Sequence, residues 1–115
     1  MTNNLSQLKE FRTEPKSEIT LIDTQTATVF DRRPAVGNNL LQGVAWHPSG
    51  EFAVFTHNRT KNLVPMTRLM QGWTITNGIG LLWRDGRIDQ VLLDQPDLSF
   101  PDAAEVAITP DGNLA

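Results

Sequence analysis

The feature that most constrains this chain is a ten-residue block that occurs twice, 62 residues apart. Residues 44–53 read VAWHPSGEFA and residues 106–115 read VAITPDGNLA, so that five positions are identical. A second pair of apolar runs, at 19–22 and 79–82, recurs in the same order. Such a period is typical of repeat architectures, in which one structural unit is used several times.

Both kinds of block have the pattern of a β-hairpin. Short β-prone runs flank His-Pro-Ser-Gly at 47–50, and Thr-Pro-Asp-Gly occupies the same place at 109–112. Proline presets φ for such a turn, and glycine takes the position that other side chains resist. Further hairpins are predicted at 19–30 and at 79–93, where Asp-Gly is a strong turn signal.

These hairpins predict an all-β fold, a fragment of a β-propeller with antiparallel four-stranded blades. Two hairpins make one blade, and a propeller stacks about 4 to 8 blades around a channel. A simple blade takes about 40 to 45 residues, and an insertion at 58–77 accounts for the longer period. The 115-residue chain then holds less than two periods. A single β-sandwich, whose hairpins resemble one another by chance, is the alternative.

The predicted organisation is a polar N-terminal segment followed by an arc of blades. The polar segment is 1–17 and the propeller part is 18–115, which divides into an outer hairpin at 19–30, one full blade at 43–94 that contains the insertion, and the start of the next blade at 103–115. Repeat units cannot bury their faces alone. We therefore expect the remaining propeller blades, or copies of this chain, as partners.

The composition excludes several classes of site. Cysteine is absent, which excludes disulfides, thiolate zinc sites, cysteine-attached haem and a cysteine nucleophile within this chain. The net charge of −3 lacks the basic footprint of nucleic-acid binders. No apolar run reaches the roughly 18 residues of a membrane span, so neither a nucleic acid nor a membrane is expected as partner. Residues 1–17 lack the apolar core of a signal peptide.

Catalytic motifs are also missing from the sequence. It contains no Gly-x-Ser-x-Gly, no His-Glu-x-x-His and no phosphate loop. No catalytic, cofactor-binding or metal-binding residue is predicted, and whether the parent protein is an enzyme stays open. Asp23, Asp85 and Asp111 lie in predicted turns, where Asp side chains accept hydrogen bonds from nearby backbone N–H groups. We expect these three residues to be structural.

Several segments resemble a known family. The Pro-Ser-Gly and Pro-Asp-Gly turns and the run EITLIDTQTATV at 18–29 are similar to YVTN-type repeats of bacterial seven-bladed β-propeller proteins. The segments 56–59, 63–67 and 72–77 resemble a recurring part of such proteins, which often carry a domain similar to di-haem cytochrome c peroxidase. The resemblance covers about 18–115. It implies haem only in a domain outside this chain, and a periplasmic or secreted location if the parent protein is exported.

One end of the predicted blade is expected to carry the binding site. Since successive strands run in opposite directions, the tight turns fall at one end of the blade, and the insertion 58–77 falls at the other end with two long connectors at 32–43 and 95–105. Long loops on a rigid scaffold are where binding usually resides. We therefore place the candidate site among these three segments.

The insertion gives this end a positive charge. No Asp or Glu occurs between Phe52 and Arg84. Arginine presents a planar fork that suits carboxylate or phosphate, so a small anion or a protein partner is the predicted ligand. The predicted binding residues are His57, Arg59, Lys61, Arg68, Trp73 and Asn77. The competing interpretation is structural: these arginines pair with acids of neighbouring blades, and Trp73 packs the insertion against its blade.

We therefore expect a non-catalytic propeller segment that acts as a binding or scaffold module. One alternative is part of a redox enzyme, in which the propeller positions a c-type cytochrome or a peroxidase-like domain. The other is a lactonase-like hydrolytic propeller whose metal ligands come from further blades around the channel. Propellers host many unrelated functions, so the fold by itself does not choose among these.

Overall fold

The computed structural model describes residues 2–4, 16–60, 75–95, 98, 100 and 102–115. These residues form two antiparallel sheets. The first sheet has the order β1 (Thr2–Asn4), β2 (Lys16–Asp23), β3 (Thr28–Val36). The second has the order β4 (Leu40–Trp46), β5 (Phe52–Thr60), β6 (Ile75–Trp83), β7 (Ile88–Leu92). The all-β architecture predicted from the repeated hairpins is confirmed.

The second sheet is a four-stranded meander held by tight turns. Its central pair, β5 and β6, is in unbroken register from Phe52 opposite Trp83 to Thr60 opposite Ile75. The turns contain Gly50 at φ 71° and Gly86 at φ 90°. Only glycine adopts this left-handed conformation without a Cβ penalty, which is why the hairpin turns could be located from the sequence.

The hydrophobic core lies between the two sheets. It joins Ile19 and Ala35 of the first sheet to Leu41, Phe55 and Leu82 of the second. Burial of one such side chain contributes about 1.5–3 kcal/mol. Gly80 of β6 lies directly opposite Phe55, and a Cβ at Gly80 would overlap the phenylalanine ring. The small residue on one strand thus makes room for the large ring on its neighbour.

The connection between the two sheets is shorter than the sequence predicts. Strand β3 continues to Val36 and β4 begins at Leu40, so the predicted long connector at 32–43 is mostly strand. Residues 32–36 pair with β2, which begins earlier than expected. The second connector, 95–105, contains an isolated bridge between Gln95 and Leu98. The prediction of a long connector at 32–43 is therefore wrong.

The N-terminal segment also differs from its predicted character. Residues 2–4 lie in the polar segment 1–17, in which no strand is predicted, yet they form β1 and pair with β2. Strands pair through backbone groups and need no apolar side chains. The polar sequence Thr-Asn-Asn therefore gives no signal for this strand. Within the described residues, no helix has the length and apolar character that a membrane crossing requires.

The C-terminal segment 102–115 lies beside β4 without forming a strand of its own. The Gly43 N–H donates to the Ala104 carbonyl oxygen at 2.8 Å. Farther along, His47 Nε2 lies 3.2 Å from the Gly112 carbonyl oxygen. The turns at 47–50 and 109–112, which are the repeated element of the sequence, are therefore neighbours in space.

Candidate functional site

The four-stranded sheet has two ends of different chemistry. The turn end carries the turns 47–50 and 84–87, with 109–112 beside them. The long-loop end is formed by the connection 37–39, the last residues of β5, the first residues of β6 and, after β7, residues 93–95, 98 and 100. The division of turns and connections between two ends, which the sequence predicts, follows from the antiparallel order of β4 to β7.

At the turn end, polar side chains have hydrogen-bond partners. The Ser49 N–H donates to His47 Nδ1 at 3.1 Å, so Nδ1 is the acceptor nitrogen and Nε2 carries the hydrogen that faces the Gly112 carbonyl oxygen. Trp83 Nε1 donates to Asp89 at 2.7 Å. Phe52 stacks on the His47 ring at a centroid distance of 4.4 Å. These contacts tie the two repeated turns and the β6–β7 hairpin into one structural unit.

The turn aspartates behave as predicted. Asp23 accepts hydrogen bonds from the Gln25 and Thr26 N–H groups, and Asp85 accepts one from the Arg87 N–H. Asp111 accepts from the Thr109 hydroxyl and the Asn113 N–H, and these bonds lower its pKa to about 2. The structural role of Asp23, Asp85 and Asp111 is confirmed.

At the long-loop end, several buried polar atoms of the described residues lack hydrogen-bond partners. Among the described residues, every buried side-chain nitrogen or oxygen without a hydrogen bond belongs to Asn38, Asn39, His57, Asn58 or Asn77. An unsatisfied buried donor or acceptor costs about 1–3 kcal/mol. Native proteins therefore keep few of them, and a cluster at one end of a blade indicates a ligand, a partner or ordered water.

His57 is the most enclosed of the predicted site residues. It is 0% exposed, and its ring lies against Gly78 of β6, where a Cβ would come within 2.5 Å of His57 Cε1. Burial lowers the pKa of the imidazole, and the charge of Arg59 lowers it further. The Ile79 backbone acts in the opposite direction but does not reach hydrogen-bond geometry. The ring is therefore neutral at pH 7, with one donor and one acceptor nitrogen.

Arg59 lies on the same face of β5 as His57, since residues two apart on a strand point to the same side. Its guanidinium rests on Gly37, where a Cβ would be 2.5 Å from one terminal nitrogen. The next residue, Asn38, is 0% exposed, and neither its amide nitrogen nor its amide oxygen has a partner. Its backbone carbonyl accepts a hydrogen bond from the Ser17 hydroxyl at 3.1 Å. We call Asn38, His57 and Arg59 the inter-sheet site.

Asn77 lies on the opposite face of the sheet. It pairs in register with Asn58, whereas His57 pairs with Gly78. Asn77 Nδ2 donates to the Phe100 carbonyl oxygen at 2.6 Å, and its N–H donates to the Asp94 carboxylate. The structure therefore brings His57 and Arg59 together and places Asn77 in a separate group with Asn58, Asp94 and Phe100.

Three predicted site residues, Lys61, Arg68 and Trp73, lie outside the described residues. Three described side chains of these two groups are not among the predicted binding residues: Asn38, Asn58 and Asp94. The signal for Asn38 was an Asn-Asn pair just before a strand at the long-loop end. The signal for Asp94 was its place just after β7, at the same end. In the described part of the chain, no three His, Asp or Glu side chains come together as a metal-binding group.

Comparison with known proteins identifies the fold. No family model matches the chain, and no curated protein matches its sequence. A solved structure with a similar fold is hydrazine synthase of Kuenenia stuttgartiensis, a protein that contains a β-propeller. The match has a TM-score of 0.75 and 20% sequence identity over 93% of this chain.

The chain has the fold of a β-propeller fragment. It covers 30% of the hydrazine synthase chain, and so spans less than a third of that protein's length. At 20% identity the likeness concerns the fold alone. The inter-sheet site lies at the long-loop end of the four-stranded sheet, where Ser17 of the first sheet donates to the Asn38 carbonyl oxygen.

Proposed function

We propose that this chain is an arc of a bacterial YVTN-type propeller that acts as a non-catalytic binding module. The inter-sheet site takes a small anion, or an acidic side chain of a partner protein. The observation that carries this proposal is the pair of fully buried, unpartnered side chains Asn38 and His57 beside the Arg59 guanidinium. A ligand at this position would satisfy groups that the described chain leaves without partners.

The donors favour a negatively charged ligand. Asn38 supplies an amide N–H, neutral His57 supplies one ring N–H, and Arg59 supplies a charged fork. Hydrogen bonds in which one partner is charged contribute about 1.5–3 kcal/mol, more than neutral ones. Removal from water strengthens them further, because the local dielectric constant is lower. Carboxylate and phosphate are the groups that match such donors.

The test compares one substitution at the two ends of the blade. Arg59→Lys keeps the charge but loses the planar fork, and we expect it to weaken the binding of inorganic phosphate or acetate to the full chain at least about tenfold. The matched control is Arg84→Lys at the turn end, where Arg84 Nε donates to the Gly50 carbonyl oxygen. Binding is measured by isothermal titration calorimetry.

Equal losses in the two arginine variants, or no binding of either anion by the unaltered chain, would contradict the small-anion proposal. An acidic peptide titrated in parallel distinguishes a protein ligand from a free anion. Asn38→Leu provides an independent check, because it removes an uncharged donor. We expect it to abolish binding while the far-ultraviolet circular dichroism spectrum stays unchanged.

We also propose that the remaining propeller blades, or copies of this chain, cover its apolar surfaces. Trp46 is 53% exposed, and Phe30 is 66% exposed. Large exposed apolar side chains are typical of surfaces that bind other protein surfaces. Light scattering and thermal unfolding of the 115-residue chain test this. A cooperatively melting closed oligomer supports self-association, and a stable monomer contradicts the need for neighbours.

The name of the structural neighbour, hydrazine synthase, raises a second candidate function. In it, the propeller arc belongs to a redox assembly and positions a cytochrome or a peroxidase-like domain. Haem would then lie in a further domain, because this chain contains no cysteine for its attachment. A Soret band in the purified parent protein would support this candidate, and its absence would contradict it.

A further inference from the structure

The outward face of the sheet holds a second unpartnered group at the long-loop end. Asn58 and Asn77 are directly opposite each other on β5 and β6, so their Cβ atoms are about 4.5–5.5 Å apart on one face. The side-chain oxygens of both residues are buried and have no hydrogen-bond partner. Asn77 is only 4% exposed. Two neighbouring acceptors thus lack a donor.

The orientation of the Asn77 amide follows from its contacts. Its Nδ2 donates to the Phe100 carbonyl oxygen, so the atom left without a partner is the oxygen. Beside it, the Asp94 carboxylate accepts the Asn77 N–H and, at 2.7 Å, the Phe100 N–H. A carboxylate has about four acceptor sites, so Asp94 retains capacity for further ligands.

We infer that Asn58, Asn77 and Asp94 form a binding site for a hard cation of the Ca²⁺ type. The groups offered are amide and carboxylate oxygens, which Ca²⁺ prefers, and water would complete its 6 to 8 ligands. An anion does not fit, because the unsatisfied atoms are acceptors. A soft or borderline metal does not fit either, since the only nearby imidazole, His57, lies on the opposite face.

This site and the inter-sheet site lie on opposite faces of the sheet and bind ligands of opposite charge. One binds negative charge through donors between the sheets, and the other binds positive charge through oxygens on the outward face. Two hydrogen bonds already connect this region: Asn77 of β6 donates to the Phe100 carbonyl oxygen, and the Phe100 N–H donates to Asp94. A bound cation would therefore also stabilise this connector against the blade.

The experiment is a calcium titration of the full chain after treatment with a chelator. We expect Ca²⁺ to raise the melting temperature of the unaltered chain, and Mg²⁺ to raise it less, because Mg²⁺ demands near-ideal octahedral geometry. Asn58→Asp replaces an amide oxygen by a carboxylate, and we expect it to tighten Ca²⁺ binding at least about tenfold, since ligand charge tunes the affinity of such sites. Asn58→Leu should abolish the response.

Two controls separate this site from general charge effects and from the inter-sheet site. Gln25→Glu adds one negative charge in the turn between β2 and β3 of the first sheet and should leave Ca²⁺ affinity unchanged. His57→Leu should also leave it unchanged, even where it removes anion binding. The inference is overturned if the unaltered chain shows no calcium response, which would leave water as the partner of these oxygens. It is equally overturned if Asn58→Asp binds Ca²⁺ no more tightly than Gln25→Glu does.

Discussion

The turn end and the long-loop end of the same sheet differ in the hydrogen bonding of their polar side chains. At the turn end, His47, Trp83 and Asp111 all have hydrogen-bond partners. At the long-loop end, within the described residues, both ring nitrogens of His57, both amide atoms of Asn38 and the side-chain oxygens of Asn39, Asn58 and Asn77 have none. The same sheet therefore has one end whose polar groups bond to each other and to neighbouring turns, and one end where several buried polar atoms have no hydrogen bond in the part of the chain that the structure describes.

The largest effect is expected from the core that both ends share. Phe55→Ala should lower the free energy of unfolding by about 3–5 kcal/mol, because a fully buried phenylalanine leaves a cavity. Urea denaturation of the 115-residue chain measures this. The matched control is Val91→Ala on the exposed side of β7, for which we expect a change within about 0.5 kcal/mol. Similar losses in both variants would show that the core does not unite the two ends.

The same substitution at each end should have opposite effects on stability. His47→Leu removes hydrogen bonds to Ser49 and Gly112, and should destabilise the chain by about 1–2 kcal/mol. His57→Leu removes two unsatisfied buried nitrogens and keeps most of the volume, so it should be neutral or stabilising by up to about 1 kcal/mol. Both are measured by urea denaturation at pH 7.5. A loss of stability in both variants would break the comparison.

The two ends should also lose stability in different pH windows. The His57 pKa is lowered from 6.5 in the folded chain. Below about pH 6.5, His57 is therefore protonated more readily in the unfolded chain than in the folded chain. Stability then falls as the pH decreases, by at most about 1.4 kcal/mol per pH unit. Asp111 has its pKa lowered from 3.8 to about 2. Its contribution is present above about pH 3.8 and is lost as the pH falls towards 2.

Unfolding curves recorded from pH 8 to pH 2.5 separate these windows. His57→Leu should reduce the dependence of the free energy of unfolding on pH below pH 6.5. It should leave the loss of stability between about pH 3.8 and pH 2.5 unchanged. Asp111→Asn should change only this loss at acid pH. An unchanged slope between pH 7 and pH 5 in His57→Leu would mean that another group titrates there.

The smallest expected effect lies on the surface of the turn end. The Arg87 guanidinium lies 4.6 Å from the centroid of the Trp83 ring, and such an exposed cation–π contact contributes about 0.5–1 kcal/mol. Arg87→Met should cost about this much in thermal unfolding. Arg32→Met, which removes an exposed ion pair with Glu18, should cost about 0–1 kcal/mol at most. A larger effect at Arg32 than at Arg87 would weaken the view that the turn end is the more tightly built.

The sequence predicts the candidate site only in part. His57 and Arg59 are correctly expected to share one region, because alternate residues on a strand point to one face. Asn77 was grouped with them, but it pairs with Asn58 and therefore lies on the opposite face from His57. A shift of one residue in register moves a side chain to the other face of a sheet. Pairing with β5 decides that face. Asn38 lies in the predicted connector 32–43 but was not singled out, because loop residues are usually exposed and its burial depends on contacts between the two sheets.

What the sequence by itself determined is the repeat, the hairpins, the all-β class and the structural role of the turn aspartates. These follow from local chemistry, since proline, glycine and aspartate set the geometry of a turn within a few residues. Only the tertiary structure decided which polar groups meet. The side chain of Arg59 lies against Gly37, that of His57 against Gly78, and that of His47 against Gly112. Each contact joins residues far apart in the chain, and whether a buried polar group has a partner depends on such contacts and not on its own neighbourhood in the sequence.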